Sequence, residues 1–306
     1  MADETSWGVI IAIFILYIII FIIIGLIIAV YFKEIPVNFG PTGPIGPIGH
    51  TGPTGPRNIG VEPPSTSDIS IMHWNPHWQC TTHSCCANVA MNYINTNLVS
   101  RHVDFANVIE LEDKNYKPPN GYVAIKANCG DQTTLIYNSQ KWQPIGNHNV
   151  FCINDAGTVG SSGRPTIVQK FQSKTSNFSL YVIGSHYTHF RDNYIKGLNQ
   201  AFTSLNITSA DTIVFMADTN QNGTSEKLMI DMLQGTPPII MSSPVKGTCC
   251  YSGPNSKFHL PYDRIITTFG TRMSSDFPTF QDIIATPIAG CSYDEMHLPV
   301  FSIIHY

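Results

Sequence analysis

Tyr262-Asp263-Arg264-Ile265-Ile266 and, near the C-terminus, His297-Leu298-Pro299-Val300-Phe301 are the two stretches on which the reading of this chain turns. Each sets a carboxylate or an imidazole at the head of a largely apolar run. Short β-branched and aromatic runs between turn residues read as strands, so both polar groups fall at strand ends. Working outward, the same arrangement recurs. Thr212-Ile213-Val214-Phe215-Met216-Ala217 runs into Asp218-Thr219-Asn220, and Leu180-Tyr181-Val182-Ile183-Gly184-Ser185 runs into His186. Ala106-Asn107-Val108-Ile109-Glu110-Leu111 runs into Glu112-Asp113, and Ile69-Ser70-Ile71-Met72-His73 into Trp74-Asn75.

Strand ends on one edge of a sandwich converge. Here they would gather carboxylates, amides and imidazoles, a set suited to a hard divalent cation and to proton transfer at a phosphate ester. Taken singly, each has a plainer reading. An Asp or Asn after a strand is common turn chemistry, a lone His is more often structural than catalytic, and Asp263-Arg264 could be a salt bridge. Their order and shared placement favour a site. The expected strands are 69–74, 106–112, 121–127, 133–137, 165–171, 179–186, 211–217, 237–241, 263–269 and 298–304. Helical periodicity covers 85–99 and 193–205. This predicts an α/β (α+β) fold over 68–306, a two-sheet β-sandwich flanked by helices.

These motifs together resemble the endonuclease/exonuclease/phosphatase superfamily, the DNase I-like fold. Tyr262-Asp263-Arg264-Ile265 is similar to that family's Tyr-Asp-Arg-Ile segment, and His297-Leu298-Pro299-Val300 to the end of its Ser-Asp-His-x-Pro-Val motif. Asp218 and Asn220 match Gly-Asp-Phe-Asn, His186 the strand-then-His segment, and Trp74-Asn75 the first-strand Trp-Asn. Gly163-Arg164-Pro165 resembles the Arg-Pro of the nuclease-like subunit of cytolethal distending toxins. The resemblance implies a metal-dependent phosphoesterase. Glu112, with Asn75, would hold Mg²⁺ (or Mn²⁺ or Ca²⁺); His186, Asp218, Asn220, Asp263 and His297 would be catalytic; Arg164 and Asn220 would bind the phosphate. Two departures stand out. The family Asp before the last His is Met296, whose thioether does not suit a hard cation. A gap-free match of the family's Leu-Gln-Glu segment would put Asp113, not Glu112, at the metal.

The rest of the chain bounds the context. Of 306 residues only 12% are charged, and the first 60 carry charge only at Asp3, Glu4, Lys33, Glu34 and Arg57. After a short tail, 1–6, residues 7–32 contain no charge and are dominated by Ile. That exceeds the roughly 20 residues needed to span a bilayer and lacks the basic start of a cleaved leader, so it reads as a single transmembrane helix anchoring the chain in lipid. Residues 33–67 read as a linker. Within it, 40–56 place Gly at every third position, a collagen-like pattern that serves either as a stiff spacer or as a short homotrimerising stalk. Eight cysteines and the sequons at Asn177, Asn206 and Asn222 favour an extracytoplasmic or virion-surface C-terminal domain over the weak Lys/Arg signal. The cysteines read as disulfides, with partners for Cys249 and Cys250 coming from elsewhere; zinc at Cys80, His83, Cys85 and Cys86 is a rival with poor spacing.

A net charge of −4 gives no basic field for tight nucleic-acid binding. DNA is the first expected substrate on motif grounds, and a phospholipid head group (sphingomyelin or a phosphoinositide) the alternative for a domain tethered beside a bilayer. A catalytically degenerate binding or attachment head on a stalk is the competing class, favoured by Met296.

Overall fold

The computed structural model describes residues 68–306, apart from 114, 234, 254, 255, 286 and 289. The expected tail, anchor and linker therefore lie outside the described residues; among those described, no helix is long and apolar enough to cross a membrane. The first half runs β1 (Asp68–Trp74), α1 (Trp78–Thr82), α2 (Ser84–Ser100), β2 (Phe105–Ile109), β3 (Tyr122–Asn128), β4 (Gln132–Asn138), β5 (Trp142–Ile153) and β6 (Val159–Gly160). The second runs β7 (Arg164–Ser173), β8 (Ser179–His186), α3 (Arg191–Ser204), β9 (Ile213–Asp218), α4 (Ser225–Leu233), β10 (Met241–Ser242), β11 (Asp263–Thr267), β12 (Arg272–Asp276), α5 (Phe280–Ile283) and β13 (Val300–His305).

The strands form two mixed sheets, β12-β13-β1-β2-β4-β3 and β10-β11-β9-β8-β7-β5-β6. Each contains one parallel pair joined through a helix: β1 with β2 across α2, and β8 with β9 across α3. Strand alternation explains how the sheets pack. Ile69, Ile71, Phe105 and Leu135 of the first sheet meet Ile167, Val182, Val214, Met216 and Ile265 of the second in one core. The outward residues Met72, Trp74, Ala106 and Val108 are covered by α2 through Cys86, Ala90, Ile94 and Leu98, an i, i+4 series on one helix face. Ile183 and Phe215 are covered by α3 and α4 through Leu198, Phe202, Leu228 and Met232. This is the expected sandwich, with a helical layer on each outer face.

The long buried strands lie close to their expected places, and β8 coincides with 179–186. Several regions differ. β2 stops at Ile109 because Glu110 turns into the left-handed region at φ 53°, and the expected strand at 237–241 shrinks to Met241–Ser242. β5 and β12 had no apolar pattern to betray them, being exposed along most of their length. Disulfides join Cys80 to Cys86 and Cys129 to Cys152. The first removes two of the four groups of the zinc alternative. Cys249 bonds to its neighbour Cys250, not to a distant partner, since Cys291 is itself disulfide-bonded and the other described cysteines pair among themselves.

One contact sets how far the sheets slide. Asn107 of β2 reaches across and donates to the Met216 carbonyl of β9 at 3.2 Å. A Cβ added at Gly184 of β8 would stand 2.3 Å from the Asn107 Oδ1. Gly184→Ala should therefore lower stability in urea unfolding by about 1–3 kcal/mol. Gly160→Ala, where an added Cβ meets nothing within 4 Å, should stay within about 0.5 kcal/mol. Equal stability of the two variants would mean that Asn107 does not seat on Gly184.

Candidate active site

The parallel pairs carry the C-terminal ends of β1, β2, β8 and β9 to one edge of the sandwich, and β4, β11 and β13, antiparallel to them, begin there. Asn75, Glu110, His186 and Asp218 thus meet Asp131, Asp263 and His297. Register makes this concrete: Asp218 lies opposite Asp263 on one side and His186 on the other. An open cleft of about 680 Å³ lies over this edge, lined among others by Asn75, Glu110, Asp131, His186, Asp218 and His297.

Asp263 lies beneath the cleft, 2% exposed. An ionised carboxylate only accepts, so Nδ1 of His297 donates to its Oδ2 at 2.6 Å. Its Oδ1 is 3.1 Å from Nε2 of His73, and Nδ1 of His73 faces the Asn107 amide at 3.2 Å. Burial opposes the charge on Asp263, but the charge and hydrogen bond of His297, with His73 close on its other oxygen, keep its carboxyl well below the usual carboxylate range. Burial also opposes the His297 imidazolium. Asp263 and Asp218 outweigh that penalty and raise the group to about 9.

A second imidazole stands equally close to a carboxylate, without hydrogen-bond alignment. Nδ1 of His186 is 2.6 Å from Oδ2 of Asp131, while its Nε2 lies 3.6 Å from Asp218 Oδ2 and 3.7 Å from Glu110 Oε1. Burial acts against ionised Asp131, but His186 close beside it, together with Arg164 at 3.8 Å, lowers its pKa on balance. Asp218 sits between the two histidines, with His297 Nδ1 at 3.7 Å. It accepts the Asn75 side-chain amide at 3.1 Å and the Asn220 N–H at 2.9 Å. Asn220, at φ 49°, donates its own side-chain amide to the Tyr187 carbonyl. Arg264 does not pair with Asp263 in a salt bridge. It faces the other side of β11 and donates to the Gly223 carbonyl at 2.9 Å, fixing the loop after Asn220 from below.

The structure brings every expected site residue to this edge but redistributes the carboxylates. Glu112 lines the cleft wall, where Gln132 donates to its carboxylate at 2.8 Å. Glu110, turned inward by its positive φ, enters the histidine–carboxylate group instead. Asp113 caps a turn by accepting the Asn115 N–H. Asp131, on the turn between β3 and β4, was hidden in Cys129-Gly130-Asp131, which reads as turn chemistry alone. His73 was hidden inside an apolar run. Met296 is fully buried in the core beside α2, while Glu295, at φ 62°, hangs over the cleft with its carboxylate 3.2 Å from Nε2 of His77.

The donor set fits a hard divalent cation. Glu110 is 8% exposed, yet its carboxylate accepts one close hydrogen bond, from the Trp78 N–H at 2.9 Å. The imidazoles of His77 and His186 stand off at 3.8 and 3.7 Å, beyond hydrogen-bond reach. A buried carboxylate with so little compensation favours a cation. Glu110, Asp131 and His186 offer ligand atoms within 4.8 Å of one another, as do Asp218, Asp263 and His297. Arg164 presents a buried Nη1 with no hydrogen-bond partner, a donor suited to a phosphate oxygen.

The two members of the His297–Asp263 pair act on stability in opposite directions along the pH scale. The elevated His297 contributes fully below its unfolded value of 6.5, and its contribution is lost as pH rises through about 9. Depressed Asp263 contributes above its unfolded value of 3.8 and loses that contribution in acid. In chelator-treated protein, thermal unfolding midpoints should therefore fall between pH 6.5 and 9, and His297→Gln should flatten this limb. An unchanged slope in the variant would remove the pair as its cause.

No family model and no curated protein matches the sequence. Solved structures do. An endonuclease/exonuclease/phosphatase from Bacteroides vulgatus aligns with a TM-score of 0.57 at 11% identity, covering 79% of this chain and all of that one. D. rerio TDP2 complexed with a single-strand DNA product aligns at 0.55 and 13%, covering 78% and 99%. A mannosyl-6-phosphatase from Bacteroides thetaiotaomicron aligns at 0.53 and 12%, covering 77% and 99%. With two mixed sheets, flanking helices and these matches, residues 68–306 have the DNase I-like endonuclease/exonuclease/phosphatase fold.

Proposed function

We propose that this domain is a divalent-metal-dependent phosphoesterase, acting first as a nuclease on phosphodiester bonds. The observation that carries the reading is the pairing of two imidazoles, His297 and His186, each 2.6 Å from its own carboxylate, on either side of Asp218. Such carboxylate-oriented histidines are positioned for acid–base work. Glu110, with Asn75 beside Asp218, would hold the cation, and a bound Mg²⁺ (or Mn²⁺ or Ca²⁺) supplies neutralisation of phosphoryl charge.

The chain's own groups account for the remaining work. Arg164 and Asn220 flank the position of the phosphate. Asp218 orients a water and takes its proton as the water oxygen bonds to phosphorus. The ester bond to the leaving oxygen breaks, and His297, held protonated at neutral pH, delivers a proton to that oxygen. His186, fixed by Asp131, steadies the non-bridging oxygens. Burial of Met296 in an apolar cluster makes it a packing residue that stands outside the histidine–carboxylate group. That supports an enzyme over a degenerate attachment head. The proposal extends to the context read from the sequence: an anchor at 7–32, a collagen-like spacer or trimerising stalk at 40–56, and an extracytoplasmic or virion-surface catalytic head.

Hydrolysis by the full chain in detergent, with and without Mg²⁺, tests the reading on plasmid DNA, sphingomyelin and a phosphoinositide. Turnover should require metal and appear on DNA, and His297→Ala should reduce it by about 10²–10⁴-fold. Turnover confined to a lipid would move the substrate class to phospholipids; none on any substrate by folded protein would leave the binding head. Glu110→Gln should raise the Mg²⁺ concentration needed for half-maximal rate much more than Glu112→Gln. The reverse order would return the metal to Glu112.

A further inference from the structure

Cys249 and Cys250 stand beside His297 on the wall of the cleft. We propose that reduction of their disulfide creates a zinc site from the two thiolates and Nε2 of His297. Through that site a thiophilic metal switches the domain off.

The geometry of His297 is already that of a zinc ligand. Its Nδ1 is committed to Asp263 at 2.6 Å, so Nε2 is the free nitrogen, and an imidazole oriented by a carboxylate on its other nitrogen is the usual outer shell of a zinc histidine. Nε2 lies 3.6 Å from Sγ of Cys250. With Zn–S near 2.3 Å and Zn–N near 2.0–2.1 Å, the S···N edge of a tetrahedron is also roughly 3.6 Å. The two sulfurs and a His297 ring nitrogen all lie within 4.8 Å of one another. The cleft leaves the fourth position open to water.

The surrounding backbone would hold this arrangement once the sulfurs separate. Cys249 and Leu260 exchange N–H···O bonds in both directions, the Tyr251 N–H donates to the Met296 carbonyl, and the Glu295 N–H donates to Tyr251. The segment is pinned on both flanks without help from the disulfide. Ligand chemistry separates this site from the one beside it. Glu110 and Asp218 present oxygen to a hard ion such as Mg²⁺, while two thiolates and an imidazole select zinc.

The chemistry balances through a dithiol reductant. The dithiol gives two electrons and two protons to the Cys249–Cys250 bond and leaves as its own disulfide. Zinc then displaces the two thiol protons and the Nε2 proton of the His297 imidazolium to solvent. In the disulfide form, which suits an oxidising compartment, both sulfurs are blocked and His297 is free. In the reduced, metal-loaded form the Nε2 lone pair is occupied. The inhibitory consequence rests on the catalytic role proposed above for His297; the metal site itself does not.

The test uses the full chain and cobalt as a spectroscopic stand-in for zinc, with excess Mg²⁺ present. After reduction by a phosphine, one equivalent of Co²⁺ should produce thiolate-to-cobalt charge-transfer absorption, and Zn²⁺ should abolish it; the oxidised chain should show none. The band should be lost in the Cys249→Ser/Cys250→Ser double variant. Persistence there would assign it to other reduced cysteines and overturn the site. In wild-type protein, Zn²⁺ should protect Cys249 and Cys250 from alkylation, read by mass spectrometry, and equal alkylation with and without zinc would also overturn it. For the switch, Zn²⁺ should inhibit hydrolysis at least tenfold more strongly in the reduced chain than in the oxidised one, and equal inhibition would refute it. Absorption and alkylation judge the site even if no hydrolysis is found, so its failure is separable from that of the catalytic reading.

Discussion

The carboxylate of Asp263 is shut away from solvent between two imidazoles, at 2.6 Å from His297 and 3.1 Å from His73. An ionised group at that depth carries a penalty of roughly several kcal/mol unless partners surround it. Its partners come from the opposite sheet. Asp263 lies on β11, His73 on β1, and His297 on the segment leading into β13, which pairs with β1. The compensation is complete only when the two sheets stand in register. The interaction that positions the proposed acid is therefore also one that reports correct sheet packing.

The architecture supplies such groups in pairs because each sheet is built around the same unit, a strand, a covering helix and a parallel strand. Both units point their C-terminal strand ends to one edge. Strand alternation then decides which side chains face inward there. Along β1 the inward series is Ile69, Ile71, His73; along β8 it is Leu180, Val182, Gly184, His186; along β9 it is Val214, Met216, Asp218. Each series is apolar in the sandwich and turns polar at the edge. Core and site lie on one surface, separated only by depth.

That pattern is why so much was legible. The strand-end polar residues marked the edge, and the motif around Tyr262-Asp263-Arg264-Ile265 tied them to the fold. The failures have physical causes as well. Glu110 sits within the apolar run and needs a left-handed backbone to turn inward, which hydropathy does not register. Asp131 occupies a turn where an Asp is ordinary, and only the approach of β8 to β4 gives it a histidine. β5 and β12 lie largely in solvent, so neither alternates. Cys249 and Cys250 pair with each other because the remaining described cysteines are committed elsewhere, a fact of three-dimensional accounting that spacing alone does not contain.

Asn107, seated against Gly184 with no room for even a methyl group between them, works as a detent between two plates. Its amide belongs to β2, the bare backbone it rests on belongs to β8, and Glu110, just past the end of β2, stands 3.7 Å from His186, which ends β8. A slip of the plates by less than the width of one side chain would leave every helix and strand intact while parting the carboxylate from the imidazole. The fold therefore has a failure mode that secondary structure does not reveal: a sandwich fully formed, and out of gear.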